Sequence, residues 1–401
     1  MKRHLIGIGG VGMSALATAM VRLGDEVTGA DRTLGTPNIR FLESIGVKCH
    51  PDDGSGIDEA TDEVVVSTAI EATNPGLARA KALGIPVTHR AKALARTLSD
   101  RKLIAVVGTC GKSTVTAMLG HILAECGLDP FCVNGANVPG WEGAVRFGRG
   151  EYAVAEVDES DKSLVAFSPY AAIVTNASAD HYSKEEMDAV FDAFVKNLPG
   201  PLVDGRLHCG EADVSLPGRH NRANAWLALK MSVALGCDES RARAALMSFA
   251  GVERRLQPVG EGVYDDYAHN PEKLKAMWTT LAEAHPGGIC VVWRPHGYAP
   301  LRKMMQPLAE MFSETVRDCD KLLLLPVYDA GGTADRTVDS AELAAKLPPA
   351  SVTLVRDHDD AFEWIAAHLD AYEAFATCGA RDTMLPSLAR RIAKAKTKGR
   401  V

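Results

Sequence analysis

The stretch Gly108-Thr-Cys-Gly-Lys-Ser-Thr114 constrains this chain more than any other part of it. It follows the apolar run Leu103-Ile-Ala-Val-Val107 and precedes the helix-like Val115-Thr-Ala-Met-Leu-Gly-His-Ile-Leu123. A buried strand, a glycine turn and a helix N-terminus in that order make an anion cradle. Backbone N–H groups face outward, and the helix dipole favours negative charge. Lys112 can reach the β and γ phosphates of ATP, and Ser113 can place a hydroxyl on a nucleotide-bound Mg2+. The full pattern wants a glycine five residues before Gly111, where this chain has Val106, so the spacing is the compact G-T-x-G-K-S form. Gly108, Thr109, Cys110, Gly111, Lys112, Ser113 and Thr114 are therefore the expected phosphate-binding residues.

The rest of the chain reads as α/β on both sides of this loop. Three blocks separate, 1–99, 100–251 and 252–401, each long enough to bury a core. The first opens with a strand at Leu5–Ile8, the glycines Gly7-Ile-Gly-Gly-Val-Gly12 and a helix through Leu23, then a strand from Glu26 to Gly29 that ends at Asp31. Glu63-Val-Val-Val-Ser67 reads as a further buried strand. The second holds continuous apolar runs suited to central parallel strands, Tyr152-Ala-Val-Ala-Glu156 and Ala171-Ala-Ile-Val-Thr175. A helix from about Asn221 to Leu235 follows. The third holds strands at Ile289–Trp293, Lys321–Pro326 and Val352–Val355, and a last helix. The expected fold is three α/β domains with mainly parallel sheets, Rossmann-like at both ends and a P-loop ATPase in the centre.

Composition excludes some functions. A formal net charge of −7 argues against a general nucleic-acid partner, and the basic tail from Arg390 to Arg400 reads as the solvated end of a helix. Nine cysteines without C-x-x-C pairs indicate neither a zinc site nor a disulfide framework. With no signal-peptide pattern and no apolar run of membrane length, the chain reads as cytoplasmic, without a membrane partner.

Several constellations carry chemistry. The first glycine set matches G-x-G-x-x-G, with Asp31 about 20 residues beyond, and taken alone would suggest an NAD-dependent oxidoreductase. A second nucleotide loop so far downstream fits a simple dehydrogenase poorly. Ala155-Glu-Val-Asp-Glu-Ser-Asp161 gathers carboxylates at the end of a strand, where ligands bind in parallel sheets and where oxygen donors suit Mg2+. Thr175-Asn-Ala-Ser-Ala-Asp-His181 brings an Asp–His pair to the same edge. Pro217-Gly-Arg-His-Asn-Arg-Ala-Asn224 opens a helix whose Asn221 and Asn224 face one way and could read a purine edge. Arg254-Arg255 and Tyr264-Asp-Asp-Tyr-Ala-His-Asn-Pro271 open the third block, offering arginines and a carboxylate from a separate domain.

These motifs, in this order and nearly end to end, resemble the Mur ligase family, most nearly its alanine-adding members. The shared motifs are G-I-G-G-V-G-M, S-T-A-I, G-T-C-G-K-S-T, A-E-V-D-E-S-D, T-N-A-S-A-D-H, P-G-R-H-N-R-A-N and D-D-Y-A-H-N-P. The resemblance implies an ATP-dependent, ADP-forming ligase that joins a UDP-N-acetylmuramate-like acid to an amino acid through an acyl phosphate. It implies a uridine-nucleotide domain at 1–99, an ATP domain at 100–251 and a closing domain at 252–401. By position, Lys112, Glu156 and His181 would be catalytic, with Ser113, Glu156 and His181 on Mg2+. His220, Asn221 and Asn224 would surround adenine, and Arg254, Arg255 and Asp266 would complete the nucleotide site. Gly9, Gly10, Val11, Gly12, Asp31, Ser67, Thr68 and Ala69 would hold the UDP-linked acid, with His269 and His296 on the substrate side of the third domain.

The chain departs from the family at three places. Cys110 stands where the phosphate loop commonly has histidine. Only fourteen residues lie between Leu202 and Pro217, where the family has additional strands. Arg294-Pro-His-Gly-Tyr-Ala-Pro300 has glycine and proline where the alanine-adding enzymes carry arginines for an anionic substrate group. Unless Arg294 or Arg302 compensates, these departures predict poor use of UDP-N-acetylmuramate with L-alanine and a preference for a related acid or another amine.

Overall fold

The computed structural model describes residues 1–158, 163–177, 184–329 and 335–398. Contacts divide the chain into two compact units, 1–216 with 220–252, and 217–219 with 253–401.

The first unit contains two sheets. The N-terminal one is built from β1 (Lys2–Ile6), α1 (Val11–Arg22), β2 (Glu26–Asp31), α2 (Pro37–Ser44), β3 (Lys48–Pro51), β4 (Glu63–Val66), α3 (Pro75–Ala82), β5 (Val87–His89) and α4 (Arg90–Thr97). Its strands are all parallel in the order β3-β2-β1-β4-β5. The chain winds outward to one side of β1 and then to the other. The carboxyl end of β1, where the first glycine turn lies, is thus a topological switch point. Helix starts are set locally: Thr36 and Asn74 accept N–H bonds from the first turns of α2 and α3, and a proline follows each.

The second sheet begins with β6 (Lys102–Val107) and α5 (Lys112–Glu125) and continues through β7 (Phe131–Val133), β8 (Val145–Arg146), β9 (Tyr152–Glu156) and β10 (Ala171–Val174). Then come α6 (Lys184–Val195), β11 (Leu202–Asp204), α7 (Arg219–Ala234) and α8 (Glu239–Ser248). The order is β11-β10-β6-β9-β7-β8, parallel except for the β7–β8 pair. Strand β6 is central and Ile104–Val107 is fully buried, as its unbroken apolar run requires. Among the described residues no strand lies between Asp204 and Arg219, so the short segment there is bridged by loop alone. One apolar cluster runs through both sheets: α1 and α4 pack on their own strands and also on β7, β8 and the 3-10 turn at Ser163–Ala166. Each fully buried Leu, Ile or Val there contributes roughly 1.5–3 kcal/mol relative to exposure.

The second unit holds β12 (Gln257–Gly260), β13 (Val263–Asp266), α9 (Pro271–Ala284), β14 (Ile289–Trp293), α10 (Tyr298–Thr315) and β15 (Lys321–Leu324). They are followed by α11 (Ser340–Ala344), β16 (Val352–Leu354), α12 (His358–Ala366), β17 (Ala374–Cys378) and α13 (Leu385–Lys398). The order is β12-β13-β17-β14-β15-β16, with only β12 antiparallel. Strand β17, absent from the sequence reading, is inserted between β13 and β14 and is buried along its length. The expected three mainly parallel α/β sheets are therefore present.

Candidate active site

The phosphate loop is held by the strand beside it. Glycine is obligatory at Gly108, with φ 126°, because a Cβ there would lie 2.1 Å from Thr175 Oγ1. Thr175 Oγ1 donates to Cys110 O at 2.6 Å, and Asn176 Nδ2 donates to the same carbonyl at 3.0 Å. Asn176 Oδ1 accepts from Thr109 Oγ1 at 2.7 Å and from Cys110 N at 2.9 Å. Asn176, inside the T-N-A-S-A-D-H motif, thus satisfies three loop groups with one amide. Lys112 Nζ donates to Gly108 O at 2.5 Å, which puts the ammonium in the mouth of the loop. Ser113 and Thr114 are buried in the first turn of α5, and Thr109 is buried within the loop.

Glu156 arrives from β9, whose register sets it opposite Val106 on β6, just before the loop. Gly135 N donates to Glu156 Oε2 at 2.9 Å, and a Cβ on Gly135 would meet that oxygen at 2.4 Å. The carboxylate is thus oriented by a backbone N–H and lies close over Gly135. Helix α7 brings Asn224 to the loop: the left-handed Gly111, φ 85°, has Asn224 Oδ1 2.5 Å from its missing Cβ. Asn221 and Asn224 are buried, and His220 is exposed in the same first turn. His181, the expected third member of the catalytic set, lies outside the described residues, as do Glu159, Asp161 and Asp180.

The first glycine turn gathers a second set of groups. Gly9 N donates to Asp31 Oδ2 at 2.9 Å, and Asn38 Nδ2 donates to Gly9 O at 2.9 Å. The Ser67-Thr68-Ala69-Ile70 turn closes with Ile70 N donating to Ser67 O, and Ile70 Cδ1 lies 3.3 Å from the missing Cβ of Gly7. Gly10 is the uncapped N-cap of α1, ahead of Val11 and Gly12. Above Gly12 lies Arg90, with Nη1 3.2 Å from the position of a Cβ. Arg90 has no hydrogen bond or ion pair among the described residues. It sits directly after β5, and its sequence neighbours offered no sign that it returns to the glycine turn.

In the second unit, Arg254 is engaged by its own sheet. Its guanidinium donates to Asp265 Oδ2 at 3.0 Å and to Gly379 O at 2.5 Å. Arg254 and Arg255 both flank the Tyr267 ring at 5.2 Å. Asp266 is buried and accepts N–H bonds from Leu256 and Ala268, and burial pushes its carboxyl above the usual range. His269 and His296 come together with ring centroids 4.9 Å apart, at the ends of β13 and β14. Arg294 and Arg302, the two arginines that could compensate for glycine at 297 and proline at 300, are both ion-paired. Arg294 pairs with Asp382 at 2.9 Å, and Arg302 with Asp335 at 2.8 Å.

The donor set suits a hard cation. Ser113 and Glu156 supply oxygens beside the phosphate loop, and Mg2+ takes one or two such ligands together with phosphate oxygens. Among the described residues no cluster of three His, Cys, Asp or Glu forms an all-protein metal site. No helix among them is long and apolar enough to cross a membrane.

Comparison with known proteins agrees with this arrangement. Residues 2–102 match the model of the Mur ligase family catalytic domain, and residues 254–381 match the Mur ligase glutamate ligase domain. The UDP-N-acetylmuramate–L-alanine ligase of Paenarthrobacter aurescens is 33% identical over 94% of this chain and 94% of its own. That of Rubrobacter xylanophilus is 36% identical over 82% of this chain and 85% of its own. The crystal structure of the UDP-N-acetylmuramate–alanine ligase from Thermotoga maritima superposes with a TM-score of 0.82 at 24% identity, covering 100% of both chains. Extended similarity of this kind, with an ATP-type loop built as described, leaves no room for the oxidoreductase reading: the chain belongs to the Mur ligase family and is an ATP-dependent, ADP-forming amide ligase.

Proposed function

We propose that this ligase joins a UDP-N-acetylmuramate-like acid to an amino acid, with Mg2+ as the ATP counter-ion. The observation that carries the reading is the pair of glycine cradles in one compact unit. One has Lys112 and Glu156 for a triphosphate, and the other has Asp31, Asn38 and Arg90 for a second phosphate-bearing ligand. The acid and L-alanine are the substrates named for the 33–36% identical relatives. Gly297 and Pro300 favour a second reading, in which a related acid or another amine replaces that pair.

A carboxylate resists amide formation because its leaving group would be oxide. Attack of a carboxylate oxygen on the γ-phosphorus of ATP forms an acyl phosphate and releases ADP. The neutral amine then adds to the acyl carbon, and phosphate leaves as the amide forms and the amine loses a proton. Lys112, in the loop mouth, neutralises charge on the transferring phosphoryl group, the main demand of such a step. Ser113 and Glu156 would hold Mg2+, which supplies further charge neutralisation when bound. Asn176 and Thr175 fix the loop so that its N–H groups need no rearrangement during transfer. ATP and UDP-linked acids are both cytoplasmic metabolites, so the reading places the reaction there, in peptidoglycan biosynthesis.

The deciding experiment is phosphate release from ATP·Mg with UDP-N-acetylmuramate and a panel of amino acids. Efficient turnover with L-alanine, at kcat/KM in the usual ~10⁴–10⁸ M⁻¹s⁻¹ range, makes the departures at Gly297 and Pro300 silent. Turnover only with another amine or acid selects the second reading, and silence with every pair refutes both.

A further inference from the structure

We infer that Arg381, in the loop after β17, binds the carboxylate of the amino-acid substrate, a task for which the two guanidinium groups after β14, already ion-paired with Asp382 and Asp335, are less suited. This rests on the proposed function, in which the amine carries a carboxylate.

The argument begins with the edge of the third sheet. Strands β13, β17, β14, β15 and β16 are parallel, so their carboxyl ends share one edge, where ligands bind in such folds. Five arginines follow those ends: Arg294 and Arg302 after β14, Arg336 after β15, Arg356 after β16 and Arg381 after β17. Four are already paired with aspartates. Arg294 meets Asp382 at 2.9 Å, Arg302 meets Asp335 at 2.8 Å, Arg336 meets Asp329 at 2.7 Å and Arg356 meets Asp360 at 3.0 Å. Arg381 is exposed, and it has no hydrogen bond or ion pair among the described residues.

Its sequence neighbour cannot neutralise it. Asp382 is buried and accepts from both His358 Nε2, at 2.7 Å, and Arg294 Nη1, at 2.9 Å. Although burial alone would raise its pKa, those two donors hold the carboxyl well below the usual range. Counting Arg294, Asp382 and Arg381, the edge keeps one uncompensated positive charge.

The position of that charge identifies its use. Arg381 Nη1 lies 3.8 Å from where a Cβ on Gly297 would be, so the guanidinium lies over the glycine. Gly297 has φ 156°, immediately follows His296, and His296 packs on His269. An arginine reaching out from residue 297 would begin in the volume that the Arg381 head already borders. The planar guanidinium is well matched to a carboxylate, and a charge-assisted contact of that kind is among the stronger polar interactions. The loop after β17 therefore offers a guanidinium without an ion pair beside Gly297, at the carboxyl edge of the sheet. The substrate class implied is an α-amino acid with a free carboxylate.

The test compares an amino acid with its carboxamide in the full-length enzyme. Phosphate release is measured with ATP·Mg, UDP-N-acetylmuramate and the most active amine from a panel of L-alanine, glycine and L-serine, each against its amide. The wild type should prefer the carboxylate form by roughly 10–100-fold in kcat/KM. In Arg381→Ala that preference should collapse towards unity, through a raised KM for the amino acid, with the KM for ATP unchanged. Arg381→Lys should restore part of it. A variant that merely loosened the loop would lower turnover of acid and amide alike. An Arg381→Ala enzyme that keeps the wild-type preference overturns the assignment alone. A wild type silent with every amine overturns the proposed function, and the assignment with it.

Discussion

Single residues carry the chemistry through a few exact contacts. Lys112 is the clearest, because its ammonium lies in the loop mouth, where the proposed function has it stabilise charge that develops only during transfer. Lys112→Ala should reduce substrate-dependent phosphate release by ~10²–10³ without unfolding the protein, as removal of one such electrostatic contact usually does. Turnover within a few-fold of wild type, alongside an unchanged melting curve, would remove the residue from the mechanism. Arg90 is a second case. It stands over Gly12 at the uncapped start of α1, where a diphosphate would sit. Arg90→Ala should raise the KM for the UDP-linked acid by roughly 10-fold or more while leaving the KM for ATP alone. Equal effects on both substrates would assign it a structural role instead. Lys112 was legible because it stands inside a motif with a fixed mechanism. Arg90 and Asn176 were not, because each acts on a turn that is remote in the chain and near only in the fold.

At the scale of elements, the strand beside a loop decides how rigid the loop is. The end of β10 supplies Thr175 and Asn176, which between them bind the hydroxyl of Thr109 and both backbone groups of Cys110. Asn176→Ala would remove the acceptor of the Thr109 hydroxyl and the Cys110 N–H, both part-buried, and leave the Cys110 carbonyl with Thr175 alone, at a cost of about 1–3 kcal/mol. The expected result is a lower melting temperature that ATP·Mg largely restores, with a raised KM for ATP. Isothermal titration of nucleotide into both proteins would show it, and equal affinities would contradict it.

The N-terminal sheet carries a different liability. Burial, reinforced by the nearby His50, pushes His4 on β1 down to about 4, and its Nδ1 contacts Thr28 Oγ1 at 2.8 Å. The unfolded chain binds this proton at about 6.5, so stability falls as pH drops from 6.5 towards 4, by about 3 kcal/mol for this group. Denaturant titrations of wild type and His4→Gln across that window should give a shallower slope for the variant. Parallel slopes would place the acid sensitivity elsewhere.

At the scale of the whole molecule, the two compact units differ in what they need. The first two sheets share one apolar cluster, in which α1 and α4 are covered on both sides. Residues 1–252 made alone should unfold in one cooperative transition and still bind ATP. Residues 1–99 made alone would expose the faces of α1 and α4 that pack on β7, β8 and the 3-10 turn, and should bind hydrophobic dye or aggregate. Two separate transitions in 1–252 would show that the shared cluster does not couple the sheets.

The sequence by itself determined the class of fold and the position of the phosphate loop, and the order of its motifs along the chain carried the likeness to Mur ligases that implied the reaction. Fold class and loop depend on local order: an apolar run, glycines at fixed spacing, then a helix, as at Leu103–Leu123. Long central strands such as β9 and β14 were readable for the same reason, since burial on both faces demands unbroken apolar residues. Strand β17 was not read, although Ala374-Phe-Ala-Thr-Cys378 is a short apolar run, because so brief a run does not by itself distinguish strand from buried helix. Only the tertiary structure decided which arginines were already neutralised. A sequence shows that Arg294, Arg302 and Arg381 are cations. Pairing depends on distances between segments far apart in the chain, and those distances leave Arg381 alone beside Gly297.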